Sequence, residues 1–145
     1  MRALRNFEEF LKEGIVRRIT PDISRSNFLK IEVAKSYAFL MKLVNTFKID
    51  NQNANSIIKL CYDVTMESIR IKMLSQGYSS SGNFSHEAEV SYLRKMDFLE
   101  EEVLFVNELR YFRNSIIYYG KILDKEYATK IFNFLKKIKG KLGLN

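Results

Sequence analysis

The sequence is short of residues that break or bridge a chain. It has a single proline and only six glycines. A β-sandwich needs a turn roughly every 8–12 residues, so this scarcity argues against an all-β fold, and the long stretches without breakers favour long helices. One cysteine excludes an intrachain disulfide. Cys61 sits in an apolar run and reads as a buried small hydrophobe rather than a reactive thiol; chemistry without disulfides fits a reducing cytoplasm. One histidine among scattered carboxylates does not make a zinc site, so no metal is expected. Glycine-rich phosphate loops of the P-loop or dinucleotide type are absent, and no cofactor is expected. No apolar run approaches the ~20 residues needed to span a membrane. Arg5, Glu8, Glu9 and Lys12 interrupt the apolar residues near the start, which argues against a signal peptide. The expectation is a soluble, cytoplasmic protein with too little polar chemistry for an ordinary metabolic enzyme.

What is present is helical patterning. The 145 residues, 46% of them hydrophobic, suffice for one domain with its own core. Leu4, Phe7, Leu11 and Ile15 fall on one stripe, predicting a helix over 2–18. A second helix over 26–47 carries two apolar stripes, one through Phe28, Ile31, Ala34 and Met41, the other through Leu29, Val33, Leu40 and Val44; two faces imply packing on more than one side. A third covers 55–76, with Gly77 as its C-terminal cap. Ser85 is a suitable N-cap for a short helix to about 96, with Glu87 and Glu89 near its positive end. Long helices follow over 100–119 and 124–139. Glu100, Glu101 and Glu102 open the first of these and read as structural partners of its dipole, and Asp124 caps the second. The predicted fold is all-α, an up-down antiparallel bundle of about five long helices plus one short one, forming a single domain over 1–145.

The net charge is +7, and the last 25 residues hold seven lysines against Asp124 and Glu126. Such a balance attracts nucleic acid, nucleotides or acidic partners. An ordinary solvated helix face is the competing reading, and blocks of consecutive basic residues are absent.

The helix over 100–119 is the most informative. Projected at about 100° per residue, Phe105, Leu109, Phe112, Ile116 and Tyr119 form the expected core face, and Asn107, Arg110, Tyr111, Asn114 and Tyr118 lie opposite. Arg113 stands between the two groups, flanked by Val106 and Ile117. A solvent stripe normally carries Lys and Glu; one carrying Tyr, Asn and Arg is more typical of a contact surface, although snorkelling aromatics on a wet face give a similar pattern. A two-fold dimer would bring two such stripes into a composite groove.

Arg113-Asn114, late in a long helix of a small bundle and followed by Tyr118, resembles the motif of the HEPN (higher eukaryotes and prokaryotes nucleotide-binding) family. So do the preceding tyrosine-bearing loop and Ser85-His86-Glu87-Ala88. The resemblance covers roughly residues 55–135, with the helices over 2–18 and 26–47 packed on that core. It implies a homodimeric or pseudo-dimeric helical bundle. It implies function as a metal-independent RNase of toxin–antitoxin or defence systems, or as the partner of a small nucleotidyltransferase. Carried over, Arg113 takes the motif arginine position and Asn114 the polar residue after it, while the motif histidine position falls on Tyr118. Cleavage needs one group to take a proton from the ribose 2′-OH and another to give one to the leaving 5′-oxygen, tasks that suit a histidine. A free tyrosine, with a reference pKa of about 10, is a poor base at neutral pH. Arg113 would stabilise the phosphorane.

Three functions are therefore expected in order. The first is a HEPN-like homodimer that binds RNA or a nucleotide through Arg110, Tyr111, Arg113, Asn114 and Tyr118, with catalysis weak or lost. The second is a metal-independent endoribonuclease using Arg113, Asn114 and Tyr118, with Tyr119 nearby. The third is a protein-interaction module partnering a nucleotidyltransferase. His86, the only histidine, opens a different helix; it reads as a partly exposed helix-start residue, with a catalytic role as the alternative.

Overall fold

The computed structural model of the chain describes residues 3–144. It is an all-α bundle of α1 (Phe7–Lys12), α2 (Ile23–Phe47), α3 (Ala54–Gln76), α4 (Ser85–Tyr92), α5 (Glu100–Tyr119) and α6 (Lys125–Ile138), with two short strands, β1 (Val16–Arg18) and β2 (Tyr78–Ser80). A single 3-10 turn, Leu93–Lys95, continues α4. No helix among the described residues is long and apolar enough to cross a membrane.

The axis of the bundle is α3, which packs against α2, α4, α5 and α6. It is buried on several sides, with Ile57, Ile58, Cys61, Val64, Met66, Ile69 and Met73 all in the core. Burial pushes the Cys61 thiol up to about 12, so the sulfur stays a protonated core atom. Ser85, predicted as an N-cap, is instead the first residue of α4, whose N-cap is Phe84 with no side-chain hydrogen bond; two other caps form through aspartates. The Asp22 carboxylate accepts the Arg25 amide at 3.0 Å and starts α2 three residues before the predicted position. Asp124 accepts the Tyr127 amide at 2.8 Å. In the α2–α3 turn Asn53 Oδ1 accepts the Asp50 amide at 2.9 Å, and Asp50 Oδ1 accepts the Gln52 and Asn53 amides, both at 2.8 Å.

Two expectations need correction. The helix predicted over 2–18 is only six residues long within the described part, and its first predicted residue, Arg2, lies outside that part. The bundle accordingly has four long helices, not five. At one end, Arg94 Nη1 donates to the Arg5 carbonyl at 2.8 Å and Nη2 to the Leu4 carbonyl at 3.3 Å, so these acceptors serve a distant side chain instead of a helical amide. At the other end, Gly14 takes a positive φ of 76° and the chain turns into β1. That strand pairs antiparallel with β2 in the register Val16↔Ser80, Arg17↔Ser79, Arg18↔Tyr78. Gly77 is required at this junction: a Cβ there would stand 2.8 Å from the Ile19 carbonyl, while the Ile19 amide donates to the Gly77 carbonyl at 2.9 Å. Phe7 seals the corner edge-on against Tyr78 and Tyr92, at 5.1 and 4.9 Å between ring centres.

The second correction concerns the face of α5. The buried side carries Val103, Val106, Asn107 and Leu109, and it lies against α3 and α4. Of the side predicted as core, Leu109 is buried, Ile116, Phe105 and Phe112 are half-buried, with Phe105 on Phe134 at 4.2 Å and Phe112 on Tyr127 at 5.1 Å, and Tyr119 is exposed. Phe134 and Tyr127 belong to α6. Likewise α2 buries only Ser26, Val33 and Leu40 fully, leaving Phe28, Ile31 and Phe39 exposed.

Candidate functional site

The inward turn of α5 decides where the predicted site residues lie. Arg113 is seven residues beyond Val106, two helical turns on, and shares its inward face. Its side chain is 21% exposed. The guanidinium carbon sits 5.2 Å from the centre of the Tyr62 ring on α3, and Nη2 approaches Asp63 Oδ1 at 4.0 Å. Nε is buried and has no hydrogen-bond acceptor among the described residues. Arg110, one turn earlier, donates from Nε and Nη2 to Asn107 Oδ1 at 3.1 and 3.0 Å. Asn114 is half-buried.

Tyr62 connects this pair to α4. Its hydroxyl shares a 3.1 Å hydrogen bond with His86 Nδ1, and burial raises its pKa well above the usual tyrosine range. The hydroxyl therefore keeps its proton. His86 is half-buried and its pKa is lowered, first by burial and then by the positive charges of Arg70, Arg113 and Arg110, with Asp63 opposing. The guanidiniums of Arg70, Arg113 and Arg110 thus all act to disfavour protonation of this imidazole. Either tautomer satisfies the bond to Tyr62. When Nδ1–H donates to the tyrosine oxygen, Nε2 is a free base. When Tyr62 donates to Nδ1, Nε2–H is a donor.

Arg70 is anchored from below. Its Nε donates to Glu89 Oε2 at 2.9 Å, and the Ser80 hydroxyl donates to the same oxygen at 2.9 Å. Glu89 is 3% exposed, and its other oxygen has no donor among the described residues. Burial raises the Glu89 pKa against the opposing pull of Arg70 and Ser80. The β1–β2 pairing thus serves the site indirectly, because it holds Ser80 over Glu89.

The structure therefore brings Arg113 onto α3, leaves Arg110 bonded to Asn107 on its own helix and Asn114 half-buried, and keeps the tyrosines outside. Tyr111 is exposed, Tyr118 is 71% exposed and Tyr119 is 84% exposed. Tyr118 is five residues after Arg113, about 140° round the helix, so the two side chains leave α5 in different directions. Sequence reasoning missed Tyr62, Asp63 and Arg70 altogether and set His86 apart. The only sequence signal for this region was the Ser85–Ala88 stretch, which marks α4 without showing what faces it. The acidic run behaves as expected: Glu102 accepts the Leu99 amide at 2.9 Å and Glu100 pairs with Arg94 at 2.6 Å. Among the described residues no group of three or more His, Cys, Asp or Glu could hold a metal ion. No family model, curated protein or solved structure matches the chain.

Proposed function

We propose that the protein is a HEPN-like RNA- or nucleotide-binding protein whose phosphate site is the face shared by Arg70, Arg110, Arg113 and His86. The observation that carries this reading is the inward-turned Arg113, seated over the Tyr62 ring whose hydroxyl bonds His86, with Arg110 one turn earlier on α5 and Arg70 on the same side of α3 as Tyr62 and Asp63. The exposed edge of the Arg113 guanidinium would meet a phosphate oxygen, whose charge would compensate the clustered positive charges, and arginine forks suit phosphate geometry. The reading includes a homodimer, in which the exposed Tyr111 and Tyr118 of α5 would flank the groove and offer stacking surfaces for bases.

Binding of a short single-stranded RNA to metal-depleted protein tests it. Arg113→Ala should weaken binding about tenfold or more, the range for a charge-assisted hydrogen bond, and should flatten the dependence of affinity on salt. An Arg113→Ala protein that binds as tightly as the wild type, with the same salt slope, would remove the site from consideration.

The position of His86 favours a second reading, metal-independent cleavage. In it, Nε2 takes the ribose 2′-OH proton, the 2′-oxygen attacks phosphorus, the bond to the 5′-oxygen breaks, solvent water gives that oxygen its proton, and the imidazolium returns its own proton to solvent. The products are a 2′,3′-cyclic phosphate and a 5′-hydroxyl. Arg113 would stabilise the phosphorane, and Tyr62 would hold the imidazole.

A further inference from the structure

The opposite side of α3 carries a larger feature. With successive residues stepping about 100° round a helix, Ser68, Ile71 and Lys72 face away from Tyr62, Asp63 and Arg70. There they line an open cleft of about 710 Å³. Its other walls are the first turns of α2, the turn after α4 and the segment 140–143 beyond α6. Four lysines line it, Lys30, Lys72, Lys95 and Lys141, against the single carboxylate of Asp97. Two of these ammonium groups are fixed from outside the cleft, Lys95 by Glu8 and Lys141 by Glu102, both at 2.8 Å. Lys30 and Lys72 have no ion-pair partner among the described residues.

We propose that this cleft binds a compact oligophosphate. The chemistry has two sources, the triphosphate chain of a nucleotide and a free polyphosphate chain. A lysine ammonium is a compact point charge with three rotatable donors, suited to phosphate oxygens. Pairing Lys95 and Lys141 with outside carboxylates orients these groups while leaving them further N–H donors. The unpaired charges of Lys30 and Lys72 supply the attraction, and a counter-anion offsets their repulsion. The volume lies in the usual range for small-ligand sites, about 300–1,000 Å³, and the lining is mostly polar, as a phosphate chain requires. Arg113 and His86 take no part, so this site stands or falls independently of the phosphate site above.

Isothermal titration with tripolyphosphate, and separately with ATP and GTP, in a metal-free low-salt buffer provides the test. Tripolyphosphate should bind the wild type and should still bind the Arg113→Ala protein, in which the arginine face is impaired. In that Arg113→Ala background Lys30→Glu with Lys72→Glu should weaken the binding by about tenfold or more, and Lys30→Gln with Lys72→Gln should weaken it less but measurably. Tighter binding of a nucleoside triphosphate than of tripolyphosphate would assign the nucleotide as source, and equal binding the free chain. The proposal is overturned if tripolyphosphate does not bind the Arg113→Ala protein, or if neither lysine pair alters that binding in variants that retain the wild-type circular dichroism spectrum.

Discussion

Replacing Arg70 with alanine should destabilise the protein by about 2–3 kcal/mol at neutral pH, the lower part of the range for breaking a buried ion pair because the arginine itself is partly in water. The cause is what remains behind. Glu89 is almost fully buried, and without Arg70 its carboxylate keeps only the Ser80 hydroxyl as a donor. The pH dependence follows from the direction of its pKa. The folded-state value is raised above the usual one by burial, so the folded protein holds this proton more readily than the unfolded chain. That contribution is fully present below the ordinary carboxyl range and is lost as pH rises through the folded value. Removing Arg70 takes away the main opposing influence and raises the folded value further. The destabilisation should therefore be larger near about pH 7.5 than near about pH 5, and Glu89→Gln in the Arg70→Ala background should recover most of it. Urea unfolding at the two pH values is the measurement. An equal loss at both, or no recovery by the glutamine, would mean that the buried pair does not set the stability of this corner.

The second large effect concerns cleavage. If metal-depleted protein cuts single-stranded RNA to cyclic phosphate ends, His86→Asn should slow the reaction by about 10²–10⁴-fold, the usual contribution of a positioned acid or base. Tyr118→Phe should leave the single-turnover rate within about twofold, since a hydroxyl directed away from Arg113 takes no part in that transition state. The opposite ranking would return the proton transfers to Tyr118, through a dimer that brings it to its partner's groove. Absence of cleavage by the wild type would confine the site to recognition.

How far the sequence disclosed this arrangement depends on the element. Helices punctuated by local chemistry were legible: Asp124 and Gly77 mark their ends because capping involves only neighbouring backbone. The first helix was not. Its carbonyls are taken by Arg94, about ninety residues away in the chain, and β1 forms because β2 is there to pair with it. The face of α5 was misread for a related reason. A helix between two neighbours has two apolar sides, and a wheel projection selects the more aromatic one. Here Phe105 and Phe112 meet α6, while the smaller Val103 and Val106 mark the deeper side. Arg113 therefore sits on the inner face, where a guanidinium contributes nothing to a hydrophobic pattern. The Tyr62–His86 bond joins α3 to α4 across 24 positions, a distance that spacing rules for a single element cannot register. The Arg113-Asn114 pair was visible from the start; its companions on α3 and α4 became visible only in three dimensions.

The central claim, that Arg70, Arg110, Arg113 and His86 form one phosphate site, is tested most directly by NMR titration of the imidazole ring protons. The chain has one histidine, so the signals need no further assignment. In the free protein the midpoint should lie below the ordinary value of about 6.5. A saturating RNA oligonucleotide with 2′-O-methyl groups, which cannot be cleaved, should raise it by placing negative charge among the guanidiniums. Arg113→Ala should raise the free-protein midpoint and reduce the response to the oligonucleotide. A histidine that titrates at the ordinary value, and does not move when RNA is added, would contradict the account.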